Sequence, residues 1–356
     1  MDPKTRYRLE MIILTIFVVF LLVGIYYIFP SLVNVDPPGR TDWAYEITQV
    51  DELHEEGLFG EGVIVGIVDT GIDLEHEAME NIHIVAWKDL VNHKADPYDD
   101  DGHGTSVASL IASKKFGVAP KCSLIVVKAI SKTGSGSESD IVDAIDYCKI
   151  KGADVISLSL GRQQMRREDL TQPWRVGETD LELACESAIN AGIYLVGAAD
   201  NDGENDDGDV GVPSIYDDVI AVGAIDENKK IAPFSSIGDN DGKLPNWDDP
   251  WDTSDPDKKP ELVAPGVEIT SPSINDKYVI SEGTSVAVPF VTGIIAIILG
   301  ELPKYQHENN SGINTINAFK ITFMNTAKPL SGQTTPHDDH YGYGLIQGYD
   351  AYFSLK

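Results

Sequence analysis

The sequence predicts a layered α/β domain with a mostly parallel central sheet, preceded by one N-terminal transmembrane helix. Apolar runs of strand length alternate with helical stretches along most of the chain, the order that gives parallel pairing. Several of those runs are apolar at nearly every position, as expected of strands buried on both faces. One long uncharged run stands apart near the N-terminus.

That run, "MIILTIFVVFLLVGIYYIF", covers residues 11–29 and is long enough to cross a bilayer core as a helix. Lys4, Arg6 and Arg8 precede it, and Asp36 is the first charge after it. The positive-inside bias places residues 1–10 in the cytoplasm and the rest outside. A cleaved signal peptide is the alternative, but its apolar core is normally shorter and ends in an A-x-A-like site, which this stretch lacks. The expectation is an uncleaved anchor at 11–29, a linker at 30–42 and a domain from 43 to 356, held at the cell membrane and facing outward. A second apolar run, residues 287–300, is too short to span and contains Pro289. It reads as a buried helix.

Within the domain, "GVIVGIVD" (62–69) reads as the first strand, and a helical stretch follows His103. Next come "SLIVVKAI" as strand, "SESDIVDAIDYCKIKG" as helix and "ADVISLSL" as strand. "LELACESAINAG" reads as helix, "IYLVGAA" as strand and "VIAVGAI" (219–225) as a further strand. Ligands of such sheets bind beyond the carboxyl ends of the strands.

The chain of 356 residues carries 27 Lys plus Arg against 57 Asp plus Glu, a formal charge of −30. Nucleic acid and anionic lipid surfaces need basic patches, so the charge balance argues against both as partners. Cys122, Cys148 and Cys185 have no metal-ligand spacing and make no even disulfide set. They read as buried free thiols.

Three strand or helix boundaries carry residues with chemistry. "IVDTGID" puts Asp69 at the end of its strand, with Gly71 in the turn that follows. "DDDGHGTSVAS" puts His103 between two glycines where a helix begins, and "EGTSVAVPF" puts Ser285 at the start of the buried helix. Serine is a poor nucleophile until a base takes its proton, and the resulting imidazolium needs a carboxylate to orient and stabilise it. Singly, each residue has a plain structural reading as a cap or turn residue. Together, in the order Asp–His–Ser and each inside a longer phrase, they are not explained that way.

With "VGIVDTGID", "DGHGTSVAS" and "GTSVAVPF" the chain resembles the subtilisin-like serine proteases, whose Asp–His–Ser order separates them from other triad hydrolases. The resemblance runs from about Trp43 to Lys356, with "PFSSIG", "ELVAPG" and "YGYGLIQ" also in place. It implies a three-layer subtilisin-like fold and an endopeptidase acting on polypeptide substrates. In that reading Asp69 orients, His103 is the base and then the acid, and Ser285 attacks. Gly134, Ser135 and Gly136, with Ser159, Leu160 and Gly161, resemble the two edge segments that clamp an extended peptide by strand addition. Asn201, in "VGAADNDGEND", fills the place of the oxyanion donor. Such a donor is worth roughly 10²–10³ in kcat, a figure measured in subtilisin itself.

The departures from the family pattern are informative. Asp200 stands where the family usually has Gly, and the loop from Asn201 to Gly211 borders the pocket for the residue before the cut. Asp200, Asp202, Glu204, Asp206, Asp207 and Asp209 crowd that rim. A dehydrated acid there would favour Lys or Arg in the substrate; water, or the insertion holding Arg162, Arg166, Arg167 and Arg175, would otherwise neutralise them. A second insertion, "DNDGKLPNWDDPWDTSDPDKK", precedes "PELVAPG". Only about a dozen residues separate the apolar run from Trp43, so the usual inhibitory propeptide is not evident and folding is expected to be unaided or helped from elsewhere. No cofactor is required. The family's tight calcium site is expected to be absent, because Ala78 takes its Asp position and "SLIASKKFGVAP" is too short for its loop. Acidic segments such as 239–257 leave room only for weak Ca²⁺ binding. Two other readings, an esterase on this fold or a binding module on a dead protease, fit less well, since the clamping segments and all triad residues are present.

Overall fold

The computed structural model describes residues 38–161, 179–203, 210–238, 255–309 and 312–356. The apolar run 11–29, the arginine-rich insertion after Gly161, Glu204 to Asp209 and residues 239–254 lie outside the described residues.

Among the described residues, seven strands form one sheet in the order β2-β3-β1-β4-β5-β6-β7. They are β1 Ile64–Asp69, β2 His83–Asp89, β3 Ser123–Lys128, β4 Val155–Leu158, β5 Tyr194–Ala198, β6 Ile220–Ile225 and β7 Leu262–Pro265. Every pairing in it is parallel. The apolar runs read from sequence form β1, β3, β4, β5 and β6, and β4 to β6 are buried at every position. Strand β1 lies inside the order, with β3 on one side and β4 on the other. The order changes direction around it, which opens a crevice beyond its carboxyl end.

Helix α1 Asp42–Ile47 and helix α2 Val50–Glu55 precede the sheet and bury Ala44, Tyr45, Val50 and Leu53. Helices α3 His103–Ala112 and α6 Thr284–Glu301 pack on each other and on the sheet, while α4 Glu138–Ile150 and α5 Asp180–Asn190 form a second packed pair on it. Helices α7 Ile313–Thr326 and α8 Gly348–Leu355 close the chain. A separate antiparallel hairpin joins β8 Ile269–Ser273 to β9 Lys277–Ser281.

Helix α6 is apolar enough to cross a membrane, with mean hydropathy 1.8, yet 83% of that window is buried within the protein. Each fully buried Val, Ile or Phe contributes about 1.5–3 kcal/mol of transfer free energy. Val288, Phe290, Val291, Ile294, Ile295, Ile297 and Ile298 are all inaccessible to solvent. The run 287–300 is therefore a core helix, as its sequence predicts. The three cysteines are free and buried.

Candidate active site

Asp69 is the last residue of β1 and is 1% exposed. The chain turns at once after the strand, and Gly71 takes the turn at φ +122°, a region open to glycine and costly for other residues. A side chain at Gly104 would sit 2.3 Å from the Gly71 carbonyl oxygen. Glycine at both places lets α3 begin against the strand end, and the Gly104 amide donates to Thr70 Oγ1 at 2.8 Å.

His103 is the first residue of α3. Its Nδ1 donates to Asp69 Oδ1 at 2.8 Å and lies 3.0 Å from Oδ2. That fixes the neutral ring in the tautomer with a bare Nε2. Ser285, the second residue of α6, donates from Oγ to this Nε2 at 2.9 Å. The three predicted residues, 34 and 182 positions apart, thus form one relay. Burial pulls the His103 ring toward lower pKa, but the attraction and hydrogen bond of Asp69 outweigh it, with Asp101 and Asp99 adding, and push it up to about 9.

The acids before His103 build the start of α3. Asp99 accepts from the amides of Asp101 and Gly102 through Oδ1, and from the amide and hydroxyl of Thr105 through Oδ2. Burial alone would raise its carboxyl, yet these hydrogen bonds hold it below the usual range. Asp100 pairs with the inaccessible Lys128, whose Nζ also donates to the Thr70 carbonyl at 2.6 Å. Neither Asp99 nor Lys128 was singled out from the sequence, although "DDD" before a Gly-His pair is a capping signal.

Strand β5 ends at Ala198, and the next three residues carry the quoted acidic turn. Asn201 Oδ1 accepts from the amide of Thr284 at 2.9 Å and from its hydroxyl at 3.1 Å. With the oxygen so occupied, the amide NH₂ faces away from Thr284. A Cβ placed on Gly283, whose φ is +151°, would lie 3.1 Å from Ser285 Oγ and 3.8 Å from Asn201 Nδ2. Hydroxyl and amide therefore flank one small space. Thr284, fully buried beside Ser285, sets the Asn201 orientation; the 83 positions between them conceal that role in the sequence.

Asp200 adopts φ +93°, which accounts for glycine being the ordinary residue there. Its strained backbone is tied down: its carbonyl accepts from Ser236 N at 3.0 Å and Thr284 Oγ1 at 3.2 Å, and its Oδ1 accepts from Asn201 N at 2.8 Å. Burial raises its carboxyl, with the Asn201 amide acting against that. The buried Gly211 donates its amide to the Ala199 carbonyl at 3.0 Å, fastening the far end of the loop to the β5 exit.

Gly134, Ser135 and Gly136 form an exposed turn closed by the Ser131 amide donating to Ser135 O at 2.8 Å. Ser159, Leu160 and Gly161 continue from β4 beyond its last paired residue, Leu158. Neither segment lies within a named strand of the free chain. Among the described residues no group of three or more His, Cys, Asp or Glu is arranged to hold a metal ion.

Residues 60–344 match the subtilase family. Subtilisin DY of Bacillus licheniformis is 35% identical over 308 residues, covering 84% of this chain and 94% of that protein. A thermostable alkaline protease of Halalkalibacterium halodurans is 32% identical over 309 residues, or 85% of this chain and 71% of that one. Among solved structures, the prenylagaramide maturation protease PagA superposes with a TM-score of 0.66 at 24% identity, covering 86% of this chain and 98% of that one. That last likeness concerns the fold, whereas the family match spans both helix starts and the strand end that carry the relay. The chain belongs to the subtilase family and is a serine-type endopeptidase.

Proposed function

We propose that the protein is a membrane-anchored endopeptidase that cuts polypeptides through an acyl-enzyme on Ser285. The observation that carries this reading is the continuous hydrogen-bonded relay from Asp69 through His103 to Ser285. As Ser285 Oγ bonds to the peptide carbonyl carbon, its proton passes to His103 Nε2 and the carbonyl electron pair moves onto oxygen. Asp69 steadies the imidazolium, and the Asn201 NH₂ donates to the new oxyanion. Collapse breaks the C–N bond, and His103 returns its proton to the leaving amine. Water then repeats the sequence and frees Ser285.

The exposed 134–136 turn and the 159–161 exit are read as the two rails on which substrate pairs as an added strand. Anchoring through residues 11–29, with the catalytic domain outside the cytoplasm, is supported by that uncharged run and its basic flank. No cofactor takes part in these steps.

The function is tested by casein hydrolysis with purified full-length protein. Ser285→Ala and His103→Ala are each expected to abolish turnover. Undiminished hydrolysis by Ser285→Ala overturns the assignment. Location is tested by fractionation: the protein is expected in the membrane pellet with its domain open to external protease. An active soluble form beginning near residues 31–40 contradicts the anchor.

A further inference from the structure

Asp200 directly precedes the oxyanion donor Asn201, and the cleavage steps do not use its carboxylate. Its Oδ2 is buried and meets no hydrogen-bond donor among the described residues. A buried carboxylate oxygen without a donor is unfavourable, so its persistence asks for a ligand. The side chain leans on Gly161, where a Cβ would come within 2.8 Å of Oδ2 and 3.1 Å of Cγ. A side chain at 161 would have to push that carboxylate aside.

Topology places this contact at the active-site edge of the sheet. Strands β4 and β5 pair in parallel up to Leu158 and Gly197, so Gly161 and Asp200 leave the sheet side by side at the same edge, with Asn201 next in the chain. On the endopeptidase reading an attacked carbonyl carries its oxygen to Asn201, which brings the side chain of the residue supplying that carbonyl toward Asp200. Ser159, two residues before Gly161, has a second buried oxygen with no partner among the described residues. Two unpaired acceptors thus sit at one edge.

We infer that Asp200 is a specificity-determining residue that makes this protease cut after lysine or arginine. The inference rests on the endopeptidase reading and adds its substrate class. Lys and Arg bring a cation on a long apolar stem, which can reach the unpartnered carboxylate oxygen of Asp200. The charge-assisted hydrogen bond formed there is about twice as strong as a neutral one. Burial already raises the Asp200 carboxyl, and a bound cation would reverse that.

The test uses full-length protein and peptide p-nitroanilides that differ only in the last residue, Lys, Arg, Leu or Phe. Wild type is expected to give kcat/KM for Lys and Arg about tenfold or more above Leu and Phe. Asp200→Asn, which keeps the acceptor for the Asn201 amide, is expected to lower the Lys-to-Leu ratio by about tenfold. Preference of wild type for Leu or Phe, or an unchanged ratio in Asp200→Asn, overturns the inference. Should that variant fail to fold, wild type alone decides through peptide aldehydes. An argininal binding about tenfold tighter than the matching leucinal supports Asp200, and equal or weaker binding removes it. Failure of the endopeptidase reading looks different: no peptide is cut and a fluorophosphonate leaves Ser285 unlabelled.

Discussion

In the proposed mechanism His103 must be neutral to act as a base, yet its surroundings favour the charged ring. With its pKa pushed up to about 9, kcat/KM is expected to rise with pH along a limb centred near that value. Asp69→Asn removes the largest upward influence. It should shift the limb toward the ordinary imidazole value and reduce kcat by roughly 10⁴ through loss of the correct tautomer. A limb left near 9 in that variant would refute the electrostatic account. The same group links pH to stability with the opposite sign: the imidazolium–carboxylate attraction is fully present below 6.5 and is lost as pH rises through about 9. In the proposed mechanism Asn201 acts only when the oxyanion exists, so Asn201→Ala should cost roughly 10²–10³ in kcat with KM nearly unchanged. Thr284→Val, which leaves the Thr284 amide bond to Asn201 in place, should cost less. Steady-state kinetics on the three variants checks these orders.

One strand end and two helix starts deliver the relay, and each depends on backbone passing close to backbone. Gly104→Ala places a methyl 2.3 Å from the Gly71 carbonyl; such overpacking costs about 1–3 kcal/mol. Urea unfolding should show that loss together with reduced activity, since α3 carries His103. Unchanged stability and activity would mean that the turn has slack. The apolar runs that became β1, β3, β4, β5 and β6 were legible because both faces of each are covered. Strand β2 was not, because it is an edge strand of mixed exposure with Trp87 and Lys88 among its residues. Strand β7 ends in Pro265, a residue that argues against reading its run as a strand. The six-residue helices α1 and α2 complete less than two turns each. Asp69, His103, Ser285 and Asn201 could be proposed from the sequence because each sits inside a continuous phrase. Thr284 and Asp99 were missed as contributors because their roles arise from contacts that only the folded chain makes. The direction of the Asp200 side chain likewise follows from its φ, which no composition reveals.

At the scale of the whole molecule, a chain of net charge −30 buries several of its charges as a network. Lys320, on α7, reaches Asp257 and Glu261, and Lys259 meets the same Glu261 at 2.8 Å. Burial would lower the Lys320 ammonium, but the attraction of Glu261 and Asp257 raises it instead. Lys320→Met leaves two carboxylates buried without that cation, a change expected to cost about 3–5 kcal/mol. Denaturant titration measures it, and a loss under about 1 kcal/mol would show that water or rearrangement already compensates. The family match from residue 60 to 344 takes in that network, the sheet and the relay together. The account as a whole stands on Ser285 being made nucleophilic by His103. Full-length protein treated with a fluorophosphonate and digested for mass spectrometry should carry the phosphonyl group on the peptide containing Ser285, and His103→Ala should abolish it. A label on any other serine, or labelling of Ser285 undiminished in His103→Ala, contradicts the account.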